Sequence, residues 1–254
     1  MTILHYVERG DASNPTVGFL GSIASTTEMW APQLDALEGT HHVVAIDHRG
    51  HGQSPVADVA PGETSIDDLA NDVLATLDQA GVDSFKLVGL SMGGAIAQYL
   101  AATSDRVEKV ALCCTATKFG GPEKWQGRAK LTRAEGMAPM ADGVVDLWFT
   151  DSFKENNPTE VAKYVEMIMS TQGEGYAQGA DALAYWDFAD RLGEITVPVL
   201  TIAGDQDKST PPSALEEIAA GVSGEVTSVV VSPGAHVPTV ESPEQFTKAL
   251  VDFL

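Results

Sequence analysis

The sequence is short of positive charge and of long apolar runs. It has 15 Lys and Arg residues against 36 Asp and Glu, which gives a formal net charge of −21 over 254 residues. So acidic a chain argues against nucleic acid and against an anionic membrane as partners. No stretch approaches the roughly 20 apolar residues that a membrane span needs. Residues 1–9 carry charge where a secretion signal would have an apolar core, so we expect a cytoplasmic protein.

Cysteine is nearly absent as well. The only two, Cys113 and Cys114, are adjacent in an apolar run. Neighbours on a strand point to opposite faces, so the pair is poorly placed to form a disulfide. There is no metal-type cysteine spacing, and no Gly-x-Gly-x-x-Gly follows the first strand to bind a dinucleotide. We therefore expect two packing thiols, no metal and no cofactor.

The few basic residues are unevenly distributed along the chain. Five of the 15 lie between positions 118 and 133, where Glu123 is the only acid. They are Lys118, Lys124, Arg128, Lys130 and Arg133. The acidic remainder is typical of a solvated surface, whereas this local excess is a candidate patch for a small anion.

Apolar runs separated by helical segments predict an α/β fold. Runs that are continuous rather than alternating are typical of parallel strands covered on both faces. The expected strands are residues 16–20, 42–46, 85–88, 107–114, 198–203 and 226–231. Between about 118 and 192 the pattern is helical throughout. We therefore expect a core of residues 1–117 and 193–254, with a helical cap of residues 118–192.

The third of these strands leads into Gly89-Leu90-Ser91-Met92-Gly93 and then into a helix-compatible segment. A Gly-x-Ser-x-Gly turn leaves no room for side chains at its flanking positions. It lifts the serine hydroxyl above the carboxyl end of a parallel sheet, where the next helix begins. Ser91 is therefore the candidate nucleophile.

A serine nucleophile needs a base and an acid that orients the base. Two later loops, each just past a strand, supply them in the chain order Ser, Asp, His. His236 is the only histidine after position 51, and it is the candidate base. Asp207, three residues after Gly204, is the preferred acid. Asp205 is the alternative, and its other expected role is to close the loop through hydrogen bonds to the backbone.

Two backbone amides are candidates for stabilising the oxyanion of an acyl-transfer reaction. The N–H of Met92, directly after the nucleophile, supplies one donor. The loop after the strand at 16–20 should supply the other, most simply from the N–H of Ile23.

His48 and His51 belong to a second motif, Asp-x-Arg-Gly-x-Gly-x-Ser at residues 47–54. We interpret this turn as structural. Asp47, Arg49 and the glycines are expected to fix a tight bend.

With these residues the chain resembles the α/β-hydrolase superfamily over its whole length. Within it, the chain is similar to the 3-oxoadipate enol-lactonases of the β-ketoadipate pathway. The narrower similarity lies in residues 20–24, in the segments 122–128, 133–137, 147–150 and 174–177, and in the ending 235–243. The resemblance implies a mostly parallel, doubly wound sheet with a helical cap inserted after the sixth strand.

The resemblance also implies a reaction. A five-membered enol-lactone that bears an acetate side chain would be opened to 3-oxoadipate. Ser91 would attack the ring carbonyl, His236 would take its proton, and Asp207 would stabilise the imidazolium. Water activated by His236 would then release the product from the acyl-enzyme.

Such a substrate carries a free carboxylate, which needs a cation in a largely apolar pocket. Arg128 is the first candidate and Arg133 the second, although both have an alternative role as surface arginines. Trp125 and Trp148 would wall the ring, or they form part of the core of the cap.

Other functions use the same three residues. A carboxylesterase, a carbon–carbon hydrolase and a cofactor-free perhydrolase differ mainly in the shape of the cap. A hydrolase-like receptor would use the pocket to bind without turnover. The sequence leaves the oligomeric state open, a homo-oligomer included.

Overall fold

A computed structural model describes residues 1–254, and its seven strands form a single sheet. The strands are β1 (Tyr6–Arg9), β2 (Thr16–Leu20), β3 (His42–Ile46), β4 (Phe85–Leu90), β5 (Val107–Cys113), β6 (Val199–Gly204) and β7 (Val226–Val231). Their order across the sheet is β1-β3-β2-β4-β5-β6-β7. Only β1 runs antiparallel to its neighbour. The α/β fold expected from the apolar runs is confirmed.

Burial explains why the strand pattern is continuous rather than alternating. Strands β3, β4 and β6 are buried at every residue, because helices cover both faces of the sheet. Each of the six expected strands is present, with ends shifted by at most two residues.

Eleven α-helices accompany the sheet. They are α1 (Ala31–Leu37), α2 (Ile66–Gln79), α3 (Met92–Thr103), α4 (Pro122–Glu135), α5 (Ala141–Trp148), α6 (Asp151–Asn156), α7 (Pro158–Ser170), α8 (Gly173–Ala184), α9 (Pro212–Gly221), α10 (Pro238–Glu241) and α11 (Pro243–Phe253). Two 3₁₀ helices cover Thr27–Trp30 and Ala189–Glu194. No helix has the length and apolar character needed to cross a membrane.

The chain between β5 and β6 forms helices α4 to α8 and the second 3₁₀ helix, and it contains no strand. This insertion follows the fifth strand, whereas the resemblance implied the sixth. The difference arises because the chain before β2 contributes one strand only. The topology places the insertion above the carboxyl ends of β5 and β6.

Helix α8 lies directly against the turn that follows β3. A Cβ atom built on Gly175 would lie 2.4 Å from Cα of Gly50 and 2.6 Å from the carbonyl oxygen of Arg49. The N–H of Gln172 also donates to the carbonyl oxygen of Gly50 at 2.8 Å. Two glycines thus allow the backbone of a cap helix to touch the backbone of the core.

We predict that Gly175→Ala lowers the free energy of unfolding by about 1–3 kcal/mol, because the added methyl group meets backbone atoms that have no room to move. Gly127→Ala is the matched control. It lies inside α4 with nothing within 4 Å of the added Cβ, so it should stabilise the protein by about 0.5–1 kcal/mol. Urea unfolding of both variants measures the difference. Equal stability of the two would contradict the close contact of α8 with the core.

Candidate active site

Ser91 lies between β4 and α3 with a strained backbone. Its φ of 57° and ψ of −114° fall in a region that side chains rarely adopt. Two hydrogen bonds hold it there: its N–H donates to the carbonyl oxygen of Cys113 at 3.0 Å, and the hydroxyl of Thr115 donates to its carbonyl oxygen at 2.8 Å. The neighbouring strand therefore fixes the turn that carries the serine.

The glycines on either side of Ser91 are required by close backbone contacts. A Cβ on Gly93 would lie 2.2 Å from the carbonyl oxygen of Leu20, and a Cβ on Gly89 would lie 2.3 Å from that of Gly93. No side chain fits at these distances. The steric reason given for the Gly-x-Ser-x-Gly spacing thus applies at both positions.

His236 and Asp207 are in direct contact. Nδ1 of His236 lies 2.8 Å from Oδ2 of Asp207, and both side chains are buried. The Asp207 carboxylate also accepts the N–H of Ser209 at 2.7 Å, together with the N–H and the hydroxyl of Thr210 at 3.0 and 2.8 Å. Burial raises the pKa of Asp207, but His236 and the Thr210 bonds outweigh it and lower the net pKa. Asp207 is thus held as a carboxylate.

Asp205 has the loop-closing role that was its alternative. Its carboxylate accepts the hydroxyl of Ser232 at 2.6 Å and the N–H of Gly234 at 2.9 Å. It makes no hydrogen bond to His236, whose acidic partner is Asp207. Asp205 therefore ties the loop after β6 to the loop that carries His236.

Ser91 and His236 line one cavity beneath the cap. The Ser91 hydroxyl donates to no other group of the protein, so it is free to meet a ligand. The contact expected between this hydroxyl and Nε2 of His236 is not closed, which is common for catalytic hydrogen bonds in unliganded enzymes.

Both expected oxyanion donors have unused hydrogens. The N–H groups of Met92 and Ile23 donate to no acceptor in the protein, although both residues are buried. Ile23 lines the cavity beside Ser91. Met92 turns its side chain away from the cavity, toward Gly179 of α8. A buried N–H without an acceptor costs free energy and is rare in folded proteins. Two such groups beside one serine are therefore unusual.

Seven of the 13 residues that line the cavity are apolar or aromatic, and the other six are polar or charged. Trp125 and Trp148 line it as expected, and both are nearly fully buried. The remaining lining residues are Ser22, Phe119, Val144, Leu147, Tyr176 and Ser209, with the basic pair described below.

Of the five clustered basic residues, two reach this cavity. Arg128 and Lys124 line it, and each places its cationic group 5.1 Å from the ring centre of Trp125. Neither has an acidic partner. Arg133 instead donates to Glu174 at 2.8 Å and to Asp181 at 2.6 Å. The structure thus separates the two arginine candidates: the charge of Arg133 is neutralised, and that of Arg128 is not.

Three residues beside the site were given no individual role from the sequence. The hydroxyl of Tyr176 lies 3.5 Å from Arg128 inside the cavity. Lys124 was seen only as one member of the basic cluster, and burial followed by the charge of Arg128 lowers its pKa. Burial, and then the charge of the nearby Asp207, raise the pKa of the Cys114 thiol. In the sequence, Lys124 stands out only as a member of the basic cluster and Tyr176 only as part of the segment 174–177. The spacing of residues along the chain does not reveal these contacts.

The cavity offers no metal site, since no three His, Cys, Asp or Glu side chains are grouped to hold an ion. Its chemistry is therefore that of a serine hydroxyl, an imidazole paired with a carboxylate, two free amides and two unpaired cations.

Comparison with known proteins agrees with this geometry. A family model described as the alpha/beta hydrolase fold matches residues 15–243. The 3-oxoadipate enol-lactonase 2 of Acinetobacter baylyi is 34% identical over 250 residues, which cover 97% of this chain and 91% of that protein.

Solved structures give the same result. The enol-lactonase from Burkholderia xenovorans LB400 aligns with a TM-score of 0.91 and 35% identity, over 98% of this chain and 95% of that one. A malate-bound thermophilic esterase from Thermogutta terrifontis aligns with a TM-score of 0.89 and 27% identity, over 98% and 92% of the two chains. The resemblance inferred from the motifs is confirmed: this chain belongs to the α/β-hydrolase family and is a hydrolase of ester bonds.

Proposed function

We propose that the protein opens a small anionic enol-lactone, 3-oxoadipate enol-lactone, to 3-oxoadipate through an acyl-enzyme on Ser91. The observation that carries this assignment is the unpaired guanidinium of Arg128 in the same cavity as Ser91 and His236. In a chain of net charge −21, a free cation at that point selects a substrate with a carboxylate. The enol-lactonases of Acinetobacter and Burkholderia support the same substrate class.

The acylation step follows from the arrangement of the three side chains. Oγ of Ser91 bonds to the ring carbonyl carbon while its proton passes to Nε2 of His236, and Asp207 stabilises the imidazolium. The N–H groups of Met92 and Ile23 receive the oxyanion. The ring C–O bond then breaks, the leaving oxygen takes the proton from His236, and the resulting enol becomes a ketone.

Deacylation uses the same groups in reverse. A water gives a proton to His236 and attacks the acyl carbon, which releases 3-oxoadipate and restores the Ser91 hydroxyl. Arg128 binds the acetate carboxylate, and Tyr176 supplies a second polar contact beside it. No metal or cofactor takes part in these steps.

We predict that the purified protein turns over 3-oxoadipate enol-lactone, formed from muconolactone in a coupled assay, and that Ser91→Ala abolishes this turnover. Parallel assays with p-nitrophenyl acetate separate the lactonase from a carboxylesterase of the same fold. A wild-type protein that prefers short neutral esters and ignores the lactone would refute the substrate. Tight lactone binding without turnover of either compound would indicate a receptor.

The two aspartates of the loop after β6 give a matched pair of variants. Asp207→Asn should lower kcat by about 10⁴-fold, because the amide no longer orients and stabilises the imidazolium. Asp205→Asn should keep kcat and lower the free energy of unfolding by about 1 kcal/mol, since it loses hydrogen bonds that only close the loop. Steady-state kinetics and urea unfolding distinguish the two, and the reverse pattern would assign the acid to Asp205.

Removal of the cavity cation should affect anionic substrates only. Arg128→Met should lower kcat/KM for the enol-lactone by about 10- to 100-fold, the value of a charge-assisted hydrogen bond. The rate with p-nitrophenyl acetate should stay near that of the wild type. Lys130→Met, exposed on the same helix, serves as the charge-matched control. An equal loss on both substrates would show that Arg128 supports the cap rather than the carboxylate.

A further inference from the structure

Two buried histidines hold the loop that follows β2, here called the oxyanion loop (residues 21–24). Nε2 of His48 lies 2.9 Å from the carbonyl oxygen of Gly21, and Nε2 of His51 lies 2.8 Å from the amide nitrogen of Ala24. Both imidazoles are buried, His51 completely. They come from the turn at residues 47–54, whose bend is already fixed by Asp47 through bonds to Thr27 and to the Gln53 amide. Each histidine thus forms a hydrogen bond with the oxyanion loop, outside its own turn.

The partners of His51 determine its protonation. An amide N–H only donates, so Nε2 of His51 accepts the N–H of Ala24. Its Nδ1 lies 2.8 Å from the carbonyl oxygen of Arg49, which only accepts, so Nδ1 carries the proton. The ring is therefore neutral and in one tautomer. Burial, and then the neighbouring His48, lower the pKa of His51 to about 3, which agrees with a neutral ring.

The oxyanion loop needs such support because its backbone is strained. Ala24 has a φ of 71°, in the left-handed region that residues with a Cβ avoid. At the other end of the loop, the carbonyl oxygen of Gly21 accepts both His48 and the N–H of Gly93 at 3.1 Å. The loop is thus fastened at Gly21 and at Ala24, and the carbonyl oxygen of Ser22 also accepts the N–H and the hydroxyl of Ser25 at 3.1 and 2.7 Å. Between these points the N–H of Ile23 is left without an acceptor.

We infer that His51 is a positioning residue for catalysis, which holds the Ala24 amide so that the adjacent Ile23 N–H stays free for the oxyanion. This role rests on the proposed acyl transfer at Ser91. Without the bond to His51, the strained backbone at Ala24 is free to relax and to displace Ser25, whose N–H and hydroxyl hold the carbonyl oxygen of Ser22. The Ser22–Ile23 peptide, which carries the Ile23 N–H, then shifts. The oxyanion then loses one of its two donors, while the walls of the cavity and the cation of Arg128 remain.

Two variants separate the two hydrogen bonds of His51. The amide of His51→Asn reaches the position of Nδ1, which keeps the bond to Arg49 and loses the bond to Ala24. The amide of His51→Gln reaches the position of Nε2, where its oxygen accepts from Ala24. Each variant gives up one hydrogen bond and keeps the other, and activity is expressed per folded protein because Asn also leaves more empty space than Gln at this buried position.

For His51→Asn we expect kcat with the enol-lactone to fall by about 10²–10³-fold, the loss associated with one oxyanion donor. KM should change by no more than a few-fold, because the carboxylate contact is intact. His51→Gln should stay within tenfold of wild-type kcat. The rate at which a fluorophosphonate labels Ser91, followed by mass spectrometry and expressed per folded protein, should change in the same ratio.

Equal losses in the two variants, or an Asn variant that loses activity only in proportion to its unfolded fraction, would overturn the positioning role. A Gln variant that fails to fold where the Asn variant folds would do the same. If wild-type Ser91 is labelled but the lactone is not opened, the substrate is wrong and the labelling rates still test His51. If wild-type Ser91 is not labelled at all, the serine nucleophile is wrong, and the role of His51 is refuted with it.

Discussion

Backbone-to-backbone contact at the turn of Ser91 is the constraint on which the rest of the site depends. Gly93 touches the carbonyl oxygen of Leu20, so the start of α3 lies directly against the end of β2. This contact brings the amide that follows Ser91 and the loop of residues 21–24 to the same edge of the sheet. The strain at Ser91 is sustained because strands on both sides are buried and hydrogen-bonded.

The proposed base is held by a different means, since His236 lies in a loop rather than at the start of a helix. Asp205 ties this loop to the end of β6. Glu241 accepts the N–H of Ala235 at 3.1 Å and also binds Thr150 at the start of α6. The imidazole is thus connected to the core on one side and to the cap on the other. Its partner Asp207 receives four hydrogen bonds and cannot rotate away.

The sequence was sufficient for the sheet, the serine turn and the pairing of Asp207 with His236, because each depends on local rules. Continuous apolar runs identify buried strands, and glycine spacing identifies a turn without room for side chains. Helix boundaries are less accessible to such rules. Residues 27–37 form two helices rather than one, a 3₁₀ helix and then α1, because Pro32 lacks an N–H and fits only the first turn of an α-helix.

What escaped prediction depends on contacts between distant residues. Arg128 and Arg133 are five positions apart in one helix, and only the folded chain places Glu174 and Asp181 next to the second. The contact between His51 and Ala24 likewise joins two motifs that have no shared spacing. The number of strands before the cap was carried over from the resemblance, and it was wrong because only one strand precedes β2.

The unpaired cations over Trp125 lie in a molecule that is otherwise strongly negative. An approaching carboxylate is therefore repelled in bulk water and attracted only within about 10 Å of the entrance, the screening length at 0.1 M salt. Electrostatic steering usually weakens as ionic strength rises. Here, moderate salt shields the long-range barrier before it affects the short-range contact, so capture of the proposed anionic substrate should accelerate with added salt.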